Sequence, residues 1–193
     1  GRMTKYLSEN LNCKVTIVES NMKAGKSAAK YSYQSFIGVD GDVERKSFFE
    51  DLYYGGFLGY DYIIFADVLE HLHNPVEVLK DSKKVLSKNG SVLITLPNIC
   101  HNSVIIDMWN NKFEYRDFGL LDSTHIKFFA ESSLEKFADD AGFTISKKEY
   151  LRNAVENTEF NNKYSDVPMI VAEAMKDRYL ADVYQFFLEL KVK

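Results

Sequence analysis

Only two cysteines, Cys13 and Cys100, and three prolines occur in 193 residues. Two cysteines exclude a disulfide framework. They form neither a CxxC pair nor a metal-ligand spacing, and no metal is expected. Each reads as a small buried or half-buried apolar residue of a reducing compartment. With ten glycines and three prolines, no stretch reads as a linker, and internal repeats and low-complexity segments are absent. A single domain over residues 1–193 is the expectation. No apolar run approaches 18 residues, which argues against a membrane span, and the N-terminus carries no signal-peptide pattern. Basic excess is also missing: 24 Lys and Arg face 28 Asp and Glu, for a net charge of -4 and a pI near 5.6. A nucleic-acid partner calls for a basic face, so none is expected. A cytoplasmic enzyme is the simplest reading.

What is present is the composition of a soluble globular protein, 46% hydrophobic and 27% charged, with 14 Phe and 12 Tyr to fill a core or accept a flat ligand. The order of patterns is informative. Met3–Asn10 reads as helix, Lys14–Glu19 as strand, Asn21–Lys30 as helix and Ser35–Val39 as strand. Tyr60–Ala66 (YDYIIFA) is a nearly continuous apolar run, the pattern of a strand covered on both faces. A helix follows, with Asn74 to cap it, Pro75 at its first position, and Val76, Leu79, Val85 and Leu86 on or near one face. Asn89-Gly90 ends it, and Ser91–Leu96 (SVLITL) is another strand. Alternating strands and helices argue for βαβ units and a parallel sheet. Later, Ser132-x-x-Glu135 reads as a capping box for a helix over Leu134–Ala141, closed by Gly142. Phe143–Leu151 and Val183–Val192 read as two strands flanking a helix over Pro168–Arg178, which suits an antiparallel pair at a sheet edge.

In an open parallel sheet ligands bind beyond the carboxyl ends of the strands, so the residues after each strand are the candidates. Glu19 ends one strand; its two carboxylate oxygens match the vicinal diol of a ribose, and equally it suits a helix N-terminus. Val39-Asp40-Gly41-Asp42-Val43 follows the next strand, either an adenine-binding turn or an ordinary Asp-Gly turn. Ala66-Asp67-Val68-Leu69-Glu70-His71-Leu72 places three ionisable groups directly after a buried strand. His71 there is a candidate general base, or a histidine packing beside the next helix. In Leu121-Asp122-Ser123-Thr124-His125-Ile126-Lys127-Phe128-Phe129, His125 sits among an acid, hydroxyls and aromatics that suit a substrate pocket, while Phe128 and Phe129 read as core. His73 and His101 are given no role.

Together these segments resemble the class I S-adenosylmethionine (SAM)-dependent methyltransferases, and especially a bacterial group associated with cell-surface polysaccharide and sugar modification. The resemblance rests on YDYIIFADVLEHLHNPVEVLKDSKKVLSKNGSVLITLPN and on LLDSTHIKFFAESSLEKFADDAGF, with its D-x-T-H-x-x-F-F element. It implies an α/β, Rossmann-like sheet of seven strands with helices on both faces and an antiparallel last strand. The hallmark D-x-G-C-G-x-G loop and the strand before it do not occur in this sequence, and Gly1 fits either the last glycine of that loop or an added residue before a native start. The resemblance further implies that Glu19 binds the SAM ribose, that Asp42 and Val43 contact the adenine and that Ala66 and Asp67 line the methionine end, with Gly1, Ser20 and His71 also counted among the cofactor-binding residues. His71 would stand near the reacting centre, with His71 or His125 as base. The implied reaction is methyl transfer from SAM, leaving S-adenosylhomocysteine, to an oxygen or nitrogen of a small acceptor, a sugar or glycolipid by analogy. The alternatives are a non-catalytic methyltransferase-like binding domain and a nicotinamide-dependent Rossmann enzyme. No G-x-G-x-x-G occurs to support the latter.

Overall fold

The structure, a computed structural model, describes residues 1–193. It divides into two compact units, Gly1–Phe57 and Leu58–Lys193. In the first, helix α1 (Arg2–Glu9) is followed by strand β1 (Thr16–Glu19), helix α2 (Met22–Ala29), strand β2 (Gln34–Ile37) and helix α3 (Phe48–Tyr54). Strands β1 and β2 are parallel, with Glu19 opposite Ile37. Asn21 caps α2: its side-chain oxygen accepts from the amides of Lys23 and Ala24, both at 3.0 Å. The core of this unit is aromatic. Phe36 meets Phe57 edge-on at 5.3 Å between centroids, and Phe48 meets Phe49 at 5.1 Å, the quadrupole-favoured arrangement.

The second unit holds strand β3 (Tyr60–Ala66), helix α4 (Pro75–Ser82), strand β4 (Leu86–Pro97), helices α5 (Asn102–Trp109) and α6 (Glu131–Asp140), strand β5 (Phe143–Arg152), helix α7 (Met169–Lys176) and strand β6 (Val183–Val192). Its four-stranded sheet runs β3-β4-β6-β5. The β3–β4 pair is parallel, while β6 is antiparallel to both β4 and β5. The chain is therefore α/β with an antiparallel last strand, as expected. The strands number six, in sheets of two and four, rather than seven in one. Period-2 patterning sets the register of β6: Phe186, Leu188 and Leu190 are buried on one face, while Phe187 on the other face is 41% exposed.

Several local expectations are corrected. Helix α4 ends at Ser82, and Val85 and Leu86 are not on its face: Val85 leads into β4, where Leu86 pairs with Tyr60. Asn89-Gly90 lies inside β4, beside a register irregularity between Tyr60 and Tyr62, so the turn-forming dipeptide makes a bulge and not a helix end. Strand β3 is not covered on both faces. Tyr62 is 60% and Ile64 36% exposed, and residues two apart in a strand share a face. Helix α6 starts one turn earlier than read. Ser133, and not Ser132, does the capping, its hydroxyl accepting from the Ala130 amide at 3.1 Å. Gly142 does close α6, at a left-handed φ of 76°. Cys13 is exposed and Cys100 half-buried, so the buried reading fails for Cys13. Phe129 is core, whereas Phe128 is exposed and lines a cleft with Pro75, Val76 and Phe137.

His101, given no role by the sequence, is a structural residue. It is fully buried at the N-cap of α5, where its Nδ1 accepts from the Ser103 amide at 3.1 Å. The acceptor role fixes the tautomer, so Nε2–H donates to the Asn153 carbonyl at 2.9 Å. Burial depresses its pKa; Glu159 and Asp182 pull the other way and Arg178 reinforces the depression. A folded-state pKa below the unfolded value of about 6.5 gives stability that is present above that pH and is lost as pH falls through the folded pKa. The apparent Tm is thus expected to drop as pH is lowered from about 7.5 to below about 6. In His101→Ala it is expected to be lower at neutral pH, by a loss of about 1–3 kcal/mol, and flatter with pH. Thermal melts across that range check both; a wild-type slope in the variant would reject the assignment.

Candidate functional site

Within the first unit, the predicted residues gather at the carboxyl ends of β1 and β2. Glu19 closes β1, and one of its oxygens accepts from the Asn21 amide at 2.8 Å. After β2 the chain makes a tight turn over Gly38–Gly41. A Cβ on Gly41 would lie 2.5 Å from the Glu19 carbonyl oxygen, so only glycine lets this turn settle against β1. Asp42 follows, and its carboxylate accepts from the Glu44 amide at 2.9 Å. Ser20 and Asp42 are exposed, and Val43 is half-buried. Gly1 lies elsewhere in this unit, where a Cβ would stand 3.3 Å from the backbone of Ser27 and Ala28, and its carbonyl accepts from the Lys5 amide.

In the second unit, Ala66 ends β3 opposite Thr95, and Asp67 leaves the strand in a left-handed conformation, φ 53°. That conformation is held by reciprocal bonds. The Asp67 amide donates to Thr95 Oγ1 at 2.9 Å, and the Thr95 hydroxyl returns a bond to Asp67 Oδ1 at 2.8 Å. Gln185 Nε2 donates to the same oxygen. Thr95 and Gln185 were not legible as site residues, because only the β3–β4–β6 register puts them beside Asp67.

Four residues on, the loop meets the segment that carries His125. The Glu70 carbonyl accepts from the amides of Ile126 and Lys127, at 2.9 and 3.0 Å. This stitches the two loops together. The His71 and His125 rings pack edge-on at 4.7 Å between centroids. Beneath them lies the Glu70 side chain, 1% exposed, with Oε1 3.9 Å from His125 Nε2 and Oε2 buried without a hydrogen-bond partner. Burial, reinforced by the charges of Asp67 and Asp122, pushes the Glu70 carboxyl up to about 7. Burial, and then the neighbouring His71, pushes the His125 imidazole down.

Hydrogen bonding selects the tautomer of both imidazoles. The Thr124 hydroxyl donates to Asp122 Oδ1 at 2.6 Å, so it cannot also donate to His71. His71 Nδ1 lies 3.0 Å from that hydroxyl and 3.2 Å from the Thr124 carbonyl, and is therefore the donor. His125 Nδ1 lies 3.4 Å from the Leu120 carbonyl and likewise donates. In this tautomer each ring keeps its lone pair on Nε2. The same bonds hold Asp122 ionised, its carboxyl lowered chiefly by the Thr124 hydroxyl.

A family model described as a methyltransferase domain matches residues 1–148. The chain belongs to that family. As a methyltransferase domain it uses S-adenosylmethionine as cofactor. Solved structures share the fold. A SAM-dependent methyltransferase of Thermotoga maritima, described as a possible histamine N-methyltransferase, is 14% identical, with a TM-score of 0.58 over 98% of this chain and 78% of that one. A methyltransferase from Bacillus halodurans is 17% identical, with a TM-score of 0.55 over 92% of this chain and 80% of that one. An O-methyltransferase of neocarzinostatin biosynthesis, solved with S-adenosylhomocysteine and 1,4-dihydroxy-2-naphthoic acid, is 12% identical, with a TM-score of 0.53 over 100% of this chain and 46% of that one. No curated protein matches the methyltransferase in sequence. None of its helices is long and apolar enough to cross a membrane.

Proposed function

We propose that this methyltransferase carries the methyl group of SAM to an oxygen or nitrogen of a small-molecule acceptor, with a sugar or glycolipid as the class favoured by the sequence resemblance. The observation that carries the reading is the pair of imidazoles brought together from two loops, His71 after β3 and His125 between α5 and α6, each with its Nε2 lone pair left open by a donated Nδ1–H. The two compact units act as one domain in this reading, which the family match supports by running from the first into the second. A cytoplasmic location and a bacterial source belong to the same proposal, as do a small-molecule acceptor and no nucleic-acid partner.

The donor set suits the cofactor. The Glu19 carboxylate takes the ribose diol with Ser20 beside it, and the glycine-tight turn brings Asp42 and Val43 to the same strand ends for the adenine. Ala66 and Asp67 take the methionine end, and Gly1 keeps the place of a loop glycine. Bound SAM supplies an electrophilic methyl group on a positively charged sulfur. The protein's part is to hold an acceptor atom in line at about 3–3.5 Å and to receive its proton. His71 Nε2 or His125 Nε2 would take that proton from the acceptor's hydroxyl. The acceptor is shaped by residues 98–130 and 153–170. These segments pack on one another through Val104, Leu120, Leu121 and Phe160 and leave Trp109, Phe113, Tyr115 and Phe118 exposed.

Calorimetric titration of SAM and S-adenosylhomocysteine is the primary test, and saturable binding of both is expected. Turnover of a true acceptor by His71→Ala and His125→Ala is expected to fall about 10²- to 10⁴-fold in whichever variant removes the base. Wild-type rates in both would remove general-base catalysis by either. SAM binding without turnover of any acceptor would favour a non-catalytic binding domain.

A further inference from the structure

The geometry points to a divalent transition-metal site, with zinc as the ion that fits best, formed by Glu70, His71 and His125. One nitrogen of each imidazole and one oxygen of Glu70 lie within 4.8 Å of one another. Two of the three residues are buried and the third is half-buried. His125 Nε2 and Glu70 Oε1 are 3.9 Å apart. Two ligands of a tetrahedral zinc, each bonded at about 2.0 Å, stand roughly 3.3 Å apart, so this pair closes on an ion with a shift of about half an ångström, and a pair at the 4.8 Å limit with a shift of about 1.5 Å, within reach of side-chain rotation.

Two further observations point the same way. Glu70 Oε2 is sequestered with no hydrogen-bond partner, and a carboxylate is not left so without cost. Coordination supplies the missing positive charge. The outer hydrogen bonds are also those of metal-binding histidines: both Nδ1–H groups are donated to backbone carbonyls, Thr124 and Leu120, which orients each ring and keeps Nε2 for a metal. Asp122 extends this shell on the His71 side by accepting the Thr124 hydroxyl. Two imidazoles and one carboxylate form a borderline donor set suited to zinc, iron, cobalt or manganese. Magnesium and calcium, which demand all-oxygen cages, are poorly served. Three protein ligands leave a position open. An ion there would take the acceptor's oxygen and lower the pKa of its hydroxyl, doing by Lewis acidity what a free imidazole would do as a base. That consequence rests on the methyl-transfer reading, whereas the metal site itself does not. The ligands come from two loops far apart in sequence, so no spacing announced them, and the site departs from the expectation of no metal.

The test is a titration of tag-free, metal-depleted protein with Co²⁺, followed by visible d–d absorption, with Zn²⁺ as competitor. One equivalent of cobalt is expected to give a saturating band that zinc displaces. Glu70→Gln, which keeps the shape, His71→Ala and His125→Ala are each expected to weaken binding at least about tenfold. His73→Ala, an exposed neighbour, is expected to leave it unchanged. Circular dichroism confirms that each variant folds. No saturable band in the wild type, or equal cobalt affinity in Glu70→Gln and the wild type, overturns the site. SAM calorimetry on the same samples separates the two readings. Retained SAM binding with no cobalt band sinks the metal alone. A cobalt band without SAM binding leaves the metal standing and sinks the cofactor assignment.

Discussion

Glu19→Ala is expected to weaken SAM and S-adenosylhomocysteine binding about 10- to 100-fold, and both equally, because the ribose is common to the two. Hydrogen bonds to a charged group contribute about 1.5–3 kcal/mol each, and every 1.4 kcal/mol is tenfold in affinity. The carboxylate suits this role because it stands at the end of β1, where one oxygen is already oriented by the Asn21 amide. Helix α2 does not depend on Glu19 for its cap, since the Asn21 side chain serves Lys23 and Ala24, so the variant should fold. Glu19→Gln, with one accepting oxygen in place of two, is expected to lose less. Calorimetry reads all three proteins directly. Unchanged affinity in Glu19→Ala would remove the residue from the cofactor site.

The largest stability effect is expected at Phe186. Its side chain is fully buried in β6, the strand bonded on both sides, with Leu96 and Tyr150 as its cross-strand partners. The Tyr150 ring lies 6.1 Å away in edge contact. Replacing it with alanine removes an aromatic ring from a closed site and leaves a cavity, a change that costs about 3–5 kcal/mol. For a chain of this size each kcal/mol lowers Tm by about 2–4 °C, so a fall of roughly 6–20 °C is expected. Phe187→Ala, one residue on and on the exposed face, is expected to cost about 1 kcal/mol or less. Melting curves of the two variants side by side decide the matter. Equal shifts would mean that the period-2 reading of β6 is wrong.

Both effects begin from features that the sequence carries openly. The alternation in Val183–Val192, the nearly continuous apolar run Tyr60–Ala66 and the pairing of Gly142 with the end of α6 are local, and they appear at or near the residues expected. The same is true of Glu19 and Asp67, because a strand end is recognisable from the strand. Strand and helix limits between 82 and 91 were not legible. The Asn-Gly dipeptide there serves a bulge, whose identity depends on the β3 partner and not on the dipeptide.

Fold class, the antiparallel final pair and the candidate residues at strand ends were determined by the sequence alone, since side-chain periodicity and turn chemistry act over a few neighbours. Which of those candidates meet was decided only by tertiary structure. His71 and His125 come into ring contact because the Glu70 carbonyl bonds the amides of Ile126 and Lys127. His101 caps a helix because Asn153 closes over it, and Asp67 is gripped by Thr95 and Gln185 through strand register. The physical reason is one of range. Hydrogen bonds between loops and burial in a shared interior are set by where distant segments fold against each other. Those same two effects decide which nitrogen keeps its lone pair and which carboxylate loses its water.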